Sequence, residues 1–256
     1  MRGIIKKMFC LPVILLMCIG LTGCGETSKK KLSSLTHFEA IVIKNGENFV
    51  VVPNENSNEA RISDQIAVRT NNASIMGINN QVIRIDEIPV GHVVEITYNG
   101  EIMESYPAQV FADKIQLYAM SPIIEAYLKI IEEIYQEDPG LNQDISIIAL
   151  DTTDIKNLND WEKQILLVNM EQKYGKEVME STFEELMNEG LIDKENRAFP
   201  EGILITITNP NFNENKDTLT YEIKKWRSGT GAVGYTGIAY YDNGTWIIEK
   251  KNMWIS

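Results

Sequence analysis

The sequence predicts an α+β protein: a small antiparallel β-barrel, then a second domain in which helices pack on an antiparallel sheet. Three observations carry this. Residues 37–119 hold short β-rich runs broken by Asn45-Gly46 and Asn99-Gly100, a dipeptide that favours tight hairpin turns. Residues 122–135 and 161–174 place apolar side chains at helical spacing. From residue 203 alternating runs return, and Asp242-Asn243-Gly244 joins the last two as a hairpin.

The first 36 residues stand outside that body. Arg2, Lys6 and Lys7 form a basic head with no acidic residue. An apolar run from Met8 to Leu21, interrupted only by Pro12 and Gly20, ends in Leu21-Thr22-Gly23-Cys24. A basic head, an apolar run of about 7–15 residues and small residues at a cleavage site describe a secretory signal peptide. The run falls short of the roughly 20 apolar residues of a comfortable transmembrane helix. Leu-Thr-Gly-Cys resembles the lipobox of bacterial lipoproteins. The resemblance implies lipidation of Cys24, removal of residues 1–23 and attachment to the outer face of the cell membrane through the lipid. Residues 24–36 then form a tether, polar from Glu26 to Ser34, with Lys29-Lys30-Lys31 as solvated linker. Cys10 and Cys18 would leave with the signal peptide, so Cys24 is the one mature cysteine. That count excludes an internal disulfide, a cysteine zinc site and a cysteine nucleophile.

Within the barrel, Phe38–Ile43 and Phe49–Val52 flank Asn45-Gly46, and Val93–Tyr98 and Glu101–Ser105 flank Asn99-Gly100. Asn-Gly supplies the two positive φ values of a type I′ turn, so both pairs are expected as hairpins. Ile66–Val68, Val82–Ile85 and Lys114–Tyr118 complete five or six short strands, a number that suits a small OB-like barrel. The run Gly91-His92-Val93-Val94-Glu95-Ile96-Thr97-Tyr98-Asn99-Gly100, followed by Tyr106-Pro107-Ala108-Gln109-Val110, resembles the YobA-like domains of unknown function found in lipoproteins of Gram-positive bacteria. His92 stands where an acidic residue is expected. The resemblance implies a β-barrel and an extracytoplasmic setting, and no activity. Tyr106-Pro107-Ala108-Gln109 reads as a Pro-ordered turn with Tyr106 packed on the barrel, with a binding loop as the alternative.

In the second domain, Pro122 opens a helix that Asp138-Pro139-Gly140 ends. Ile145–Leu150 is a buried strand. Asp160 caps a helix from Trp161 to Tyr174, stopped at Gly175, and a shorter helix runs from Ser181-Thr182 to Gly190. Runs at 203–208, 218–226, 234–241 and 245–250 make the antiparallel sheet. Helices first and a meander afterwards suggest a cystatin-like or NTF2-like layer. Lys225-Trp226-Arg227-Ser228-Gly229 through Gly234 resembles extracellular tails of some Gram-positive membrane sensor proteins.

Charge narrows the partners. The chain carries 24 Lys+Arg against 36 Asp+Glu; without residues 1–23 the balance is 21 against 36, or −15. Phosphate neutralisation is therefore unavailable, and nucleic acid is excluded as a partner. Gly229-Thr230-Gly231-Ala232-Val233-Gly234 fits G-x-G-x-x-G, but a strand follows where the dinucleotide fingerprint needs a helix. Asn211, Asn213, Asn215, Asp217 and Glu222 echo a calcium loop, yet Lys216 sits where the glycine belongs, and a polar hairpin loop is the better reading. No cofactor or metal is expected. His37 and His92 are the only histidines, and no G-x-S-x-G, H-E-x-x-H or S-x-x-K is present. Asp151, Asp154 and Asp160 are the candidates for general acid–base work, although capping and solvation account for them. Of the C-terminal aromatics, one of Tyr240 and Tyr241 is expected to face outward. The expected function is a non-enzymatic binding or sensing lipoprotein that meets an envelope protein, peptide or wall component. The alternative is an envelope hydrolase using acidic residues of the second domain.

Overall fold

The computed structural model describes residues 35–46, 48–213 and 218–256. The signal peptide, Cys24, nearly all of the tether, and Asn215 and Asp217 of the calcium echo lie outside the described residues.

The first domain is a closed barrel. Its strands are β1 (Thr36–Lys44), β2 (Phe49–Pro53), β3 (Ile66–Arg69), β4 (Ser74–Met76), β5 (Val93–Tyr98) and β6 (Ala108–Leu117). The order β3-β2-β1-β5-β6 is antiparallel and closes through a parallel β3–β6 pair, with β4 added parallel to β6. Phe38, Ala40, Val42, Val51, Val94 and Ile96 point into the core, as strand alternation requires. Three sequence expectations fail here. Val82–Ile85 is not a strand: Val82 makes one isolated bridge to Met76, and Ile85–Glu87 is a turn of 3₁₀ helix. Glu101–Ser105 does not pair with β5; the partner is β6, with Tyr98 opposite Ala112. At both barrel Asn-Gly sites only the glycine has positive φ, so neither is type I′. Asn45 instead uses its side chain, donating to the Ile88 carbonyl at 2.6 Å and accepting from Gly46 N–H.

The second domain is a six-stranded sheet of order β12-β11-β10-β9-β7-β8 with three helices. Its elements are α1 (Pro122–Gln136), β7 (Ile147–Asp151), α2 (Asp160–Tyr174), β8 (Glu177–Glu180), α3 (Phe183–Asn188), β9 (Gly202–Asn213), β10 (Thr218–Ser228), β11 (Gly231–Asp242) and β12 (Thr245–Ile255). The sheet is mixed, which corrects the antiparallel expectation: β7 pairs parallel with both β8 and β9. The sequence reading missed β8, four residues with half-exposed side chains. With it, β7-α2-β8 becomes a parallel crossover, and such a connection requires a helix. The α2 N-cap is Asn159, not Asp160: Asn159 Oδ1 accepts from Glu162 N–H and Glu162 returns a bond to Asn159 N–H, a capping box. At the β11–β12 turn Asn243 and Gly244 both have positive φ, so that hairpin does have the type I′ form.

One sheet face carries Ile148, Leu150, Ile203, Ile205, Tyr221 and Tyr235 under α1 and α2. The other carries Ile147, Ala149 and Leu204 under α3. A buried cation pins α1 to the first face. Lys225 of β10 is fully buried, and its ammonium donates to the carbonyls of Tyr135 (3.0 Å), Asp138 (3.2 Å) and Glu137 and to Asn142 Oδ1 (2.9 Å). These groups end α1, where helix carbonyls lack partners and the macrodipole favours a cation. Burial draws the Lys225 pKa down to about 8, against the charges of Asp138 and Glu137, so it stays cationic at neutral pH. Arg227, two residues on, donates to the carbonyls of Leu141, Gln143 and Pro200.

The two domains share one seam. Ile41 faces out of the barrel yet is fully buried in the α1/α2 core, with Val52 and Val93 packed beside it. Asn169 of α2 donates to the Gly91 carbonyl at 2.8 Å. Gly91 has φ +83, and a Cβ there would lie 2.4 Å from the Asn169 amide, so both conformation and contact require glycine.

Two measurements check this packing. Lys225→Met takes the donor from the Glu137 carbonyl, whereas the Tyr135 and Asp138 carbonyls keep Asn142 Nδ2 and Leu141 N–H. Urea unfolding should register a loss of about 1–3 kcal/mol at unchanged slope. His92, next to the seam, has its pKa pulled below the usual 6.5 by burial, against a smaller opposing effect of the Val90 carbonyl. The unfolded chain therefore binds that proton more readily, and stability falls as pH drops from neutral to about 5.5. His92→Gln should flatten that part of the pH–stability curve.

Candidate functional site

Parallel strands in layered α/β sheets present ligand sites beyond their carboxyl ends, where the following loops diverge. Here β7 ends at Asp151 and β8 at Glu180, on the same side of the sheet. The loop after β7 turns through Thr152-Thr153-Asp154, held by Thr153 N–H to Asp151 Oδ1 at 3.0 Å and Ile155 N–H to the Thr152 carbonyl at 2.9 Å. The loop after β8 reaches α3 through Ser181 and Thr182, whose hydroxyl and Glu185 form a second capping box. Around these loops lie two neighbouring pockets, together called the cleft, whose linings share Asp151, Thr153 and Thr182.

The first opening, about 340 Å³, is lined by Asp154, Phe183, Glu184, Thr206 and Thr208 besides the shared three. The second, about 430 Å³, adds Lys156, Lys163, Glu180 and Glu185. Its wall is ordered: Thr152 donates its hydroxyl to Glu180, and Lys163 lies 3.8 Å from the same carboxylate. Thr206, on β9 opposite Asp151, is only 6% exposed, and its hydroxyl has no hydrogen-bond partner. A buried hydroxyl left unpaired costs stability unless something else occupies the position. In the second opening, threonine hydroxyls, carboxylates and two lysines together suit a small polar ligand bound by several hydrogen bonds.

The structure brings Asp151 and Asp154 into one opening. Asp160 lies apart, at the first turn of α2 with an exposed side chain 4.0 Å from Lys163. Neither histidine is near: His37 is on β1 and His92 precedes β5. Among the described residues no group of three or more His, Cys, Asp or Glu is placed to hold a metal ion. Asn211 and Glu222 of the calcium echo lie in the β9–β10 pair, with no helix-loop-helix frame around them. The glycine-rich segment is the β10–β11 turn and the start of β11. Gly234 is small because the Trp254 ring crosses it: an added Cβ would sit 2.6 Å from that ring. Tyr241 is the outward tyrosine, edge-on to Trp246 at 5.4 Å.

Two expectations are corrected. Tyr106 does not pack on the barrel: it is 75% exposed, with its hydroxyl 3.3 Å from Asp64. The membrane assignment is also corrected to this extent: no helix among the described residues is long and apolar enough to cross a membrane. Sequence reasoning overlooked Thr206 altogether, since a threonine in an alternating strand carries no sign of a missing partner.

The barrel is similar to a known family: the model described as "Protein of unknown function (DUF3221)" matches residues 40–117. The match runs from β1 to the end of β6 and includes none of the second domain. No match is found among curated proteins.

Thr206→Val keeps the shape of the side chain and removes the unpaired hydroxyl. Unfolding of the ligand-free protein should show it unchanged or more stable by about 1 kcal/mol; a clear loss would mean that the hydroxyl has a partner inside the fold.

Proposed function

We propose that this is a non-enzymatic binding or sensing protein, tethered outside the cell through lipid on Cys24, whose second domain receives a small polar ligand or the end of a wall component. The convergence of Asp151, Thr153 and Thr182 at the carboxyl ends of β7 and β8 carries the reading, because it gathers hydrogen-bonding groups where parallel strands take ligands. The absence of any histidine or cysteine from residues 120–256 supports binding over hydrolysis, since neither imidazole nor thiolate is there to activate a nucleophile. The alternative keeps one supporting observation: Asp151 and Asp154 line the same opening.

The finer fold readings belong to the same proposal. The strand order β1-β2-β3-β6-β5, closed by a parallel pair, supports an OB-like barrel. α1 and α2 on one face of the sheet support the cystatin-like or NTF2-like comparison, whereas α3 on the other face and the parallel β8-β7-β9 portion depart from it.

Soluble fragments from a cell-wall digest, followed by saturation-transfer NMR with the purified full-length chain, test the function. Reversible binding that weakens about tenfold in Asp151→Asn, with the fragments chemically unchanged, is the expected result. Fragment turnover that disappears in Asp151→Asn or Asp154→Asn would transfer the cleft to the hydrolase reading. Intact mass of material extracted from cells tests the tether, which requires a chain cut before Cys24 and carrying acyl mass.

A further inference from the structure

A second pocket, of about 240 Å³, opens beside the seam between the barrel and the amino-terminal ends of α1 and α2. Its body is apolar, built from Val93, Met120, Ile124, Trp161 and Ile165. Its polar groups are mostly acidic or neutral: Glu39, His92 and Glu162 line it, and no lysine or arginine does.

The charges around it are placed against one another. Glu39 of β1 and Glu95 of β5 are direct cross-strand partners on the outer barrel face. Like charges in that relation repel. Tyr118, also in the lining, donates its hydroxyl to Glu95 at 3.1 Å. Among the described residues, Glu39, Glu95 and Glu162 form no ion pair with lysine or arginine.

Two helix starts face the same space, and each contributes roughly half a positive charge. Three full carboxylate charges outweigh that. The amides of α2 are moreover engaged by its own capping box, which leaves only α1, opened by Ser121 without a side-chain cap. The pocket is therefore electronegative.

We propose that this pocket binds a small primary ammonium ion with an apolar body, its charge toward Glu39 with the Glu95 carboxylate behind it, and its hydrocarbon against Trp161 and Ile124. An uncharged apolar ligand would leave the opposed carboxylates unrelieved. An anion would be repelled. A bare inorganic cation would leave the apolar wall unused. The site is separate from the cleft beyond β7 and β8, and each stands or falls alone.

The probe is 3-methylbutylammonium, set against 3-methyl-1-butanol, which has the same shape and no charge. Titration of the full-length chain at neutral pH by calorimetry should give saturable binding of the amine and none of the alcohol. Glu39→Gln should weaken amine binding about tenfold while the ligand-free variant melts no lower than the parent, because a like-charge contact has been removed. That opposite movement of affinity and stability separates a binding carboxylate from a structural one. Nα-acetyl-lysine methylamide, run in parallel, distinguishes a free amine from a peptide side chain as the source of the same group. Equal binding of the alcohol, an unchanged affinity in Glu39→Gln, or no saturable binding of either ammonium compound would overturn the proposal.

Discussion

The arrangement of the second domain depends on one buried cation. Lys225 gives up water to sit among the last carbonyls of α1. Burying an ammonium is costly, and only a full set of acceptors offsets the loss. Here three carbonyls and an asparagine supply it, and the Tyr135 ring lies 5.7 Å away. Fixing the end of α1 fixes what α1 touches. Lys250 of β12 bridges Glu133 and Glu137 along the same helix. Tyr135 stacks on Tyr174 at 4.1 Å and Glu132 pairs with Lys173 at 2.8 Å, which sets α2 beside α1. Asn169 of α2 then holds Gly91 of the barrel. A continuous set of contacts thus leads from β10 to the barrel, and it ends at Gly91 in the lining of the pocket beside the seam.

The unpaired polar groups divide by location. The Tyr174 hydroxyl and the Trp246 indole nitrogen are buried without partners in the α1/α2 core, where the Tyr221 and Tyr235 hydroxyls are buried toward each other. Burial raises the pKa of all three tyrosines, which keeps them neutral and confines their cost to lost hydrogen bonds. Thr206 and His92 belong to pocket linings, as Trp246 also does, although the unpaired atoms themselves are buried.

Much of this architecture is legible in the sequence where the signal is local. The periodicity of 122–135, Pro122 at its start, Gly175 after α2 and the Asn243-Gly244 turn are all where their patterns put them. The capping box Asn159-x-x-Glu162 is equally readable, and assigning the cap to Asp160 overlooks it. What escapes is non-local. β8 is four residues with no fully buried side chain, and its parallel pairing with β7 is made across a whole helix. The partner of β5 begins ten residues beyond it, because Asn99 caps its own turn by accepting from Glu101 N–H and the chain then detours past Tyr106. The cleft, being formed where distant loops converge, has no counterpart in any one segment.

One local signal does announce the seam. In a barrel strand, alternate residues face inward, so one buried face should leave every second residue in water. β1 instead buries Ala40, Ile41 and Val42 in succession. Ala40 and Val42 belong to the barrel core and Ile41 to the helix core. Three consecutive buried residues require a second layer, and the glycine of the Gly91-His92-Val93 run marks where that layer makes its closest approach. The DUF3221 match ends at residue 117, five residues before α1. The outward faces of β1 and β5 inside the matched region are nevertheless shaped for the helical domain beyond it: Ile41 and Val93 are opposite one another in register and both meet the helices. Along the same two strands the next outward pair is Glu39 and Glu95. The barrel therefore presents an apolar step that docks the second domain and, immediately beside it, an acidic step that the docked helices leave unneutralised.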